Sequence, residues 1–210
     1  ARLSHPNVVT IYDVGTAGEA VFLAMELVEG ETLRSFCADG RRSWREIRDA
    51  CVQAGRGLAA AHAVGLVHRD YKPDNVIVDG TRARVGDFGL ATAMQDEPTE
   101  SMASGDVGGT SGRSTITNGS SALAGTPAYM SPEQLQRARP DARSDQYAFC
   151  VASYEVLCGT HPFEASTFVA MVDRIQRGRI EPPAGREVPG WLLSALVRGM
   201  QPRPEDRFPD

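Results

Sequence analysis

Residues 144–159, SDQYAFCVASYEVLCG, constrain the fold most, because this helix-length segment is apolar on nearly every side. A helix on the surface of a domain keeps one polar face. Since this segment has none, other elements have to surround it, and we expect Ser144 to cap its start and Gly159 to end it. The sequence therefore predicts a domain built around a buried helix, and 210 residues suffice for one sizeable core.

Strands and further helices are available to enclose that helix. Residues 7–30 and 75–88 each contain two short β-branched or apolar runs around a small turn, and so predict two hairpins. Amphipathic helices are predicted over 43–65, 166–178 and 189–200. In the first of these, one stripe carries the apolar residues Ile47, Ala50, Cys51, Ala54, Leu58 and Ala61. A small β portion followed by a mainly helical body indicates the α+β class.

One long segment has the composition of a loop. Between residues 95 and 125, sixteen of thirty-one residues are Ser, Thr or Gly. Such a segment buries too little apolar surface to offset the entropy lost on ordering, so we expect it to be mobile. Loops of this length in compact domains are commonly functional.

The overall composition excludes several classes. A net charge of −5 without a basic run argues against a partner made of nucleic acid. No apolar stretch is long enough to span a bilayer and no signal-peptide pattern is present. The four cysteines show no metal-ligand spacing and are expected to be reduced, buried thiols of a cytoplasmic protein.

Residues 68–75, HRDYKPDN, bring an imidazole, a guanidinium, two carboxylates, an ammonium and a carboxamide into eight residues. Lys72 is the only lysine among the 22 basic residues of the chain. A lysine is a compact charge on a flexible stem, whereas an arginine is a planar fork. This position therefore indicates a function that requires an ammonium group and not a guanidinium.

The order of the motifs resembles the eukaryotic-type protein kinases, and specifically their bacterial serine/threonine branch. HRDYKPDN is similar to the catalytic loop, and DFG at 87–89 begins twelve residues after Asn75. GTPAYMSPEQ at 125–134 resembles the end of the activation segment. SDQYAFC, LCGTHPF and RPEDRF resemble the start and exit of the central helix and the late arginine motif. The resemblance covers essentially the whole chain and implies the two-lobe kinase fold.

The resemblance implies a set of roles for phosphoryl transfer from ATP. Asp70 would orient the hydroxyl group of a protein substrate, and Lys72 would contact the γ-phosphate. Asn75 and Asp87 would hold Mg²⁺, with Mn²⁺ as an alternative metal. Thr126, in the GTP sequence, is counted with the catalytic residues and, like Lys72, indicates Ser/Thr rather than Tyr specificity.

ATP binding is implied for the segment AMELVEG, which resembles the strand and hinge between the lobes. Met25 would guard the back of the adenine pocket. The backbone of Glu26 and Val28 would bond the adenine edge, and Ile77 would lie beneath the ring.

Other matched residues are expected to be structural. The resemblance implies that His68 and Phe88 are packing residues of an apolar column extending to Ile11. Asp145 would anchor the backbone of the catalytic loop. Two more residues, Glu133 and Arg207, would form a structural ion pair.

The chain is expected to be a fragment, because it begins at Ala1 inside a strand-like run and shows no glycine-rich loop or ATP-positioning lysine. Residues 1–27 would be the end of the small lobe, namely its fourth and fifth strands. Residues 28–210 would be the large lobe, and 87–133 within it the activation segment. Alone, this fragment is expected to be inactive.

Two alternatives stay open at this level. A pseudokinase or signalling scaffold would keep the fold without the chemistry, although Asp70, Lys72, Asn75 and Asp87 are all present. A kinase-like small-molecule phosphotransferase would share the catalytic loop but generally lacks the GTPAYMSPEQ segment.

The Ser/Thr-rich loop also predicts self-modification. Arg69 precedes Asp70, and residues 107–125 contain no carboxylate to pair with it. A phosphate on Ser120, or on Thr117 or Ser121, would supply that anion. Autophosphorylation at one of these positions is therefore expected to order the loop.

Overall fold

The chain is described by a computed structural model that covers residues 3–17, 20–38, 40–88, 126–180, 183 and 187–209. Its first elements are two antiparallel strands, β1 (Ile11–Ala17) and β2 (Ala20–Met25). The first predicted hairpin is thus confirmed, but its two strands cover fewer residues than the apolar runs predicted within 7–30. Val8 and Val9 precede β1, and Val8 lies opposite Val85 in an isolated parallel bridge: the Val9 amide donates to the Val85 carbonyl, and the Val85 amide donates to the Asn7 carbonyl. This bridge ties the first residues to the rest of the molecule.

The second predicted hairpin is also confirmed. It consists of β4 (Val76–Asp79) and β5 (Arg82–Val85), and a two-residue strand, β3 (Glu31–Thr32), adds to its edge. Gly80 turns the chain with a φ of 59°, a left-handed conformation that glycine adopts at little cost. This small sheet carries the candidate site at its end.

Two helices lie between β3 and β4 in the sequence. A short helix, α1 (Leu33–Ala38), follows β3, and α2 (Trp44–Ala63) follows a turn. Ser43 and Glu46 form a reciprocal capping box at the start of α2. All six apolar residues of the predicted stripe are buried, so the helical prediction is confirmed.

The apolar segment 144–159 lies in the central helix. After a one-turn helix, α3 (Pro132–Leu135), comes α4 (Ala142–Cys158), of which twelve residues are buried. Its end at Gly159 is as predicted, with a φ of 77°. The predicted cap at Ser144 is wrong: Asp141 caps the helix, accepting from the amides of Arg143 and Ser144. Ser144, at the third position of the helix, is the partner of Asp141 in this capping box.

Two more helices complete the described fold, α5 (Phe168–Arg177) and α6 (Gly190–Gly199). Gly199 packs against Cys150 of α4, so closely that no β-carbon would fit. Short 3-10 turns lie at Pro73–Asn75, Thr126–Tyr129 and Pro204–Asp206. The α+β class is confirmed, and no helix in the described ranges is long and apolar enough to cross a membrane.

Candidate active site

The octapeptide HRDYKPDN leads from α2 into β4, and a buried carboxylate of α4 holds it in place. Asp145 is 1% exposed, and its two oxygens accept from the amides of His68 and Arg69 at 2.6 and 2.8 Å. His62, at the end of α2, lies 2.8 Å from the same carboxylate. The anchoring role predicted for Asp145 is therefore confirmed.

Arg69 has an unusual backbone that this anchoring makes possible. Its φ of 69° lies in the left-handed region, which costs energy for a residue with a β-carbon. Its amide donates to Asp145, and its carbonyl accepts a hydrogen bond from Gln134 Nε2 at 2.9 Å. Gln134 lies in α3, so the strained residue is bonded from two helices. No sequence pattern indicates this contact, because Gln134 and Arg69 lie 65 positions apart in the chain.

His68 is a packing residue, as predicted, and it also positions Asp70. It is fully buried, with its ring 4.7 Å from that of Phe88. Nε2 donates to the Gly86 carbonyl at 2.9 Å, and Nδ1 accepts from the Asp70 amide at 3.4 Å. Burial lowers the pKa of His68, in keeping with a neutral ring. Ile11 is half-buried at the start of β1, and its part in the column stays a prediction.

Three of the predicted site residues come together within the octapeptide. Lys72 Nζ lies 2.8 Å from Asp70 Oδ2, and both side chains are partly exposed. Asn75 Nδ2 donates to the Asp70 carbonyl at 2.9 Å, which fixes the carboxamide against the loop. The carboxylate and the ammonium thus face solvent together from one rigid turn.

A cavity of about 260 Å³ adjoins this turn. All six predicted ATP and metal residues line it, namely Met25, Glu26, Val28, Ile77, Asn75 and Asp87. Asp87 has a φ of 51°, a second strained backbone at the site. A larger open depression of about 550 Å³ lies beside α6 and contains none of these residues.

The remaining predicted residues are only partly described. Thr126 begins a 3-10 turn, and its side chain lies outside the described residues. Gly89 and the loop 95–125, with Thr117, Ser120 and Ser121, also lie outside them.

Glu26 has a side-chain contact that the sequence analysis did not predict. Its carboxylate lies 2.7 Å from Arg84 of β5. Hydrogen bonds from Thr10, together with the charge of Arg84, lower the pKa of Glu26. This contact joins the lining of the cavity to β5, the strand that precedes Asp87, although the two residues lie 58 positions apart in the chain.

The predicted pair of Glu133 and Arg207 is confirmed. Two parallel hydrogen bonds of 2.8 Å join the carboxylate to a guanidinium with no exposed surface. Burial opposes the charge of Glu133, but the bonds from Arg207 outweigh it and lower the pKa of Glu133. This pair fixes α3, and hence Gln134, against the end of the chain.

Comparison with known proteins agrees with this arrangement. The sequence profile of the protein kinase domain matches residues 1–207, and the chain belongs to the protein kinase family.

Among its relatives is a probable serine/threonine-protein kinase of Clostridium acetobutylicum, 34% identical over 99% of this chain and 30% of that protein. Serine/threonine-protein kinase PknB of Mycobacterium leprae is 32% identical over 99% of this chain and 32% of that protein. Serine/threonine-protein kinase pkn2 of Myxococcus xanthus is 37% identical over 78% of this chain and 18% of that protein. The chain thus spans about a third or less of the length of these curated relatives.

Proposed function

We propose that this chain is the catalytic part of a serine/threonine protein kinase, which transfers the γ-phosphate of ATP to Ser or Thr hydroxyl groups of proteins. One observation carries the proposal: the Asp70–Lys72 pair stands on the same short turn as Asn75, which lines a cavity of about 260 Å³ with Asp87. The names of the relatives favour neither a scaffold nor a small-molecule phosphotransferase.

In this proposal Asp70 accepts a hydrogen bond from the substrate hydroxyl and orients its oxygen toward the phosphate. Lys72, already paired with Asp70, would contact the γ-phosphate. Its positive charge would offset the negative charges of the Asp70 carboxylate and of the phosphate. The Asp70 amide donates a hydrogen bond to His68 Nδ1, and Asn75 Nδ2 donates one to the Asp70 carbonyl. These two bonds hold the loop in this conformation.

Asn75 and Asp87 fit a magnesium site by the chemistry of their donors. Hard cations such as Mg²⁺ prefer oxygen ligands, and near ATP they use few protein carboxylates. Asn75 commits its amide nitrogen to the Asp70 carbonyl, which leaves the side-chain oxygen for the cavity that Asp87 also lines. A bound Mg²⁺ or Mn²⁺ would neutralise phosphate charge there.

The adenine ring of ATP would occupy the part of the cavity lined by Met25, Glu26, Val28 and Ile77. Since Glu26 directs its carboxylate to Arg84 and donates its amide to the Thr10 carbonyl, its own backbone carbonyl is what remains for the nucleotide. We further propose that residues 1–27 belong to a small lobe and 28–210 to a large lobe with this cavity at their junction.

Thr126 and the loop before it would meet the protein substrate. Thr126 begins the turn that ends at Tyr129, and autophosphorylation at Thr117, Ser120 or Ser121 is proposed from the sequence alone. We propose that these residues act in the cytoplasm, with any membrane anchor of the parent protein lying outside them, because ATP is supplied there and buried free thiols such as Cys51 and Cys150 stay reduced there.

The test is a transfer assay with the intact gene product, γ-labelled ATP, Mg²⁺ and a generic acceptor protein, followed by phosphoamino-acid analysis. We expect label on Ser and Thr. Asp70→Asn and Lys72→Arg should each lower the rate by about 100-fold or more. Arg203→Gln, which removes an exposed ion pair in the 3-10 turn Pro204–Asp206, is the matched control. Absence of transfer by the wild type, or an unaffected Asp70→Asn variant, would contradict the proposal.

A further inference from the structure

An ion pair between Arg84 and Glu26 joins the two sheets beside the cavity. Glu26 directly follows β2 of the two-stranded sheet, whereas Arg84 lies in β5 of the three-stranded sheet. Arg84 Nη1 donates to Glu26 Oε1 at 2.7 Å. The two side chains are only 13% and 29% exposed, so salt screens this pair less than it screens a pair on the open surface.

A second cavity residue is tied to Arg84 through the backbone. In the antiparallel ladder of β4 and β5, Arg84 is the direct partner of Ile77. Ile77 and Glu26 both line the cavity, in the part proposed for the adenine ring. Arg84 is thus joined by its main chain to one residue of the adenine site and by its side chain to another.

Glu26 lies where regular structure ends, so its position depends on a few contacts. Residues 26–30 connect β2 to β3 without forming a helix or a strand. The Glu26 amide donates to the Thr10 carbonyl at 2.8 Å, and Glu26 Oε2 accepts from the Thr10 amide at 3.4 Å. Thr10 directly precedes β1, so it holds Glu26 to the first sheet and Arg84 holds it to the second. These contacts use the amide and both carboxylate oxygens of Glu26, which leaves its carbonyl for a ligand.

A carbonyl at this place can distinguish one purine base from another. It only accepts hydrogen bonds, and adenine offers it an amino group at the position where guanine carries an oxygen. With guanine, two acceptors would face each other without a hydrogen bond, which disfavours that base. The discrimination depends on where the carbonyl is held, because a hydrogen bond weakens steeply when it is misaligned.

We propose that Arg84 is a positioning residue for the base of the nucleotide: by its ion pair it holds the Glu26 carbonyl in place, and the site therefore selects adenine over guanine. Arg84 itself does not line the cavity, so it acts through Glu26 and not by touching the base. This inference rests on the proposed kinase function and assigns part of the choice of nucleotide to a residue of β5.

The experiment measures kcat and KM of the intact gene product with ATP and with GTP, at a saturating concentration of acceptor protein. For Arg84→Gln we expect KM for ATP to rise by about 3–10-fold, the value of one hydrogen bond, while kcat changes by less than about twofold. The ATP-to-GTP ratio of kcat/KM should fall by about threefold or more. Arg84→Lys should recover most of both losses, because the contact with Glu26 uses a single nitrogen and needs only a cation there.

The ratio separates positioning from a general effect of charge. A cation near the cavity attracts ATP and GTP alike, so loss of its charge alone would raise both KM values and leave the ratio as it was. Arg82→Gln is the matched control, since Arg82 is exposed and lies two residues earlier on the same side of β5. Glu26→Gln keeps the carbonyl but loses the ion pair, so it should lower the ratio as Arg84→Gln does, and combining the two changes should add little.

The inference is overturned if folded Arg84→Gln keeps the ATP-to-GTP ratio of the wild type, or if the wild type uses GTP as well as ATP. If Arg84→Gln does not fold, Glu26→Gln removes the same ion pair from its other side, and an unchanged ratio in that variant overturns the inference equally. A wild type that transfers phosphate from neither nucleotide would instead count against the kinase function itself.

Discussion

At the scale of single residues, the two aspartates of the site differ in what surrounds them. Asp70 is paired with Lys72 at 2.8 Å on the octapeptide, whereas Asp87 lines the cavity with Asn75. In the proposed function the first would orient the hydroxyl group of the substrate and the second would hold the metal. The same chemical change at each should therefore have different kinetic effects.

We expect Asp70→Asn to lower kcat by about 100-fold or more with little change in KM for ATP, because the group acts on the hydroxyl in the transition state. Asp87→Asn should raise the Mg²⁺ concentration needed for half-maximal activity. Steady-state kinetics of the intact gene product at several Mg²⁺ concentrations separate the two effects. Identical changes in kcat and in Mg²⁺ dependence would contradict this division of roles.

At the scale of elements, the contact between α6 and α4 depends on a missing side chain. A β-carbon on Gly199 would come within 2.2 Å of Cys150 Sγ, whereas one on Gly190, at the other end of α6, would meet nothing within 4 Å. The two glycines of one helix thus form a natural comparison.

Gly199→Ala should lower the free energy of unfolding by about 1–3 kcal/mol, because the two helices have to move apart. Gly190→Ala should be neutral or stabilising by up to about 1 kcal/mol. Urea denaturation of both variants measures the difference. Adding Cys150→Ala to Gly199→Ala should recover part of the loss, and equal stability of the two alanine variants would contradict the packing argument.

The pairing of α3 with the end of the chain gives a second prediction at this scale. Arg207 is buried against Glu133, and it also donates to the carbonyls of Gln201 and Arg143. Arg207→Met should cost about 3–5 kcal/mol of unfolding free energy, because it leaves a half-buried carboxylate without its partner.

Arg203→Met is the matched control, since Arg203 is 74% exposed and pairs with Asp206 in the same segment. Its unfolding free energy should change by less than about 1 kcal/mol. A similar loss in both variants would show that the buried position of Arg207 does not matter.

At the scale of the whole molecule, a fully buried histidine, His68, and a partly buried one, His161, make stability depend on pH. His68 and His161 each use both ring nitrogens as a neutral ring does. In His161, Nε2 donates to the Ala128 carbonyl and Nδ1 accepts from the Phe163 amide. Burial lowers the pKa of both, and the nearby carboxylates Asp145 and Glu155 offset only part of this effect.

A histidine in the unfolded chain binds a proton as the pH falls through about 6.5, whereas these two bind it only at lower pH in the folded state. Their contribution to stability is therefore present above that pH and is lost below it. The unfolding free energy should fall by up to about 1.4 kcal/mol per histidine for each pH unit below about 6.5. Urea denaturation at pH 7.5 and 5.5 measures this, and His161→Gln should reduce the slope. Equal stability at the two pH values would contradict the prediction.

Much of the secondary structure could be predicted from local pattern. The stripe from Ile47 to Ala61 repeats with the period of a helix, and the central helix lacks a polar face, so both were found. The helix α1 and the strand β3 were missed, because six and two residues are too short for a period to be recognised. The cap of α4 was misplaced by three residues, since Asp141 and Ser144 are both good capping residues and only the backbone decides between them.

The sequence by itself determined the chemical groups of the site, because Asp70, Lys72 and Asn75 are neighbours in the chain and Asp87 follows in a motif of known order. It also determined that α4 would be buried, since hydrophobicity is a property of each residue. Only the tertiary structure decided that Arg34 meets Asp74, Tyr129 and Glu155, or that Gln134 bonds the strained Arg69. These contacts join residues 40 to 121 positions apart, and such partners are chosen by how helices pack rather than by any local spacing.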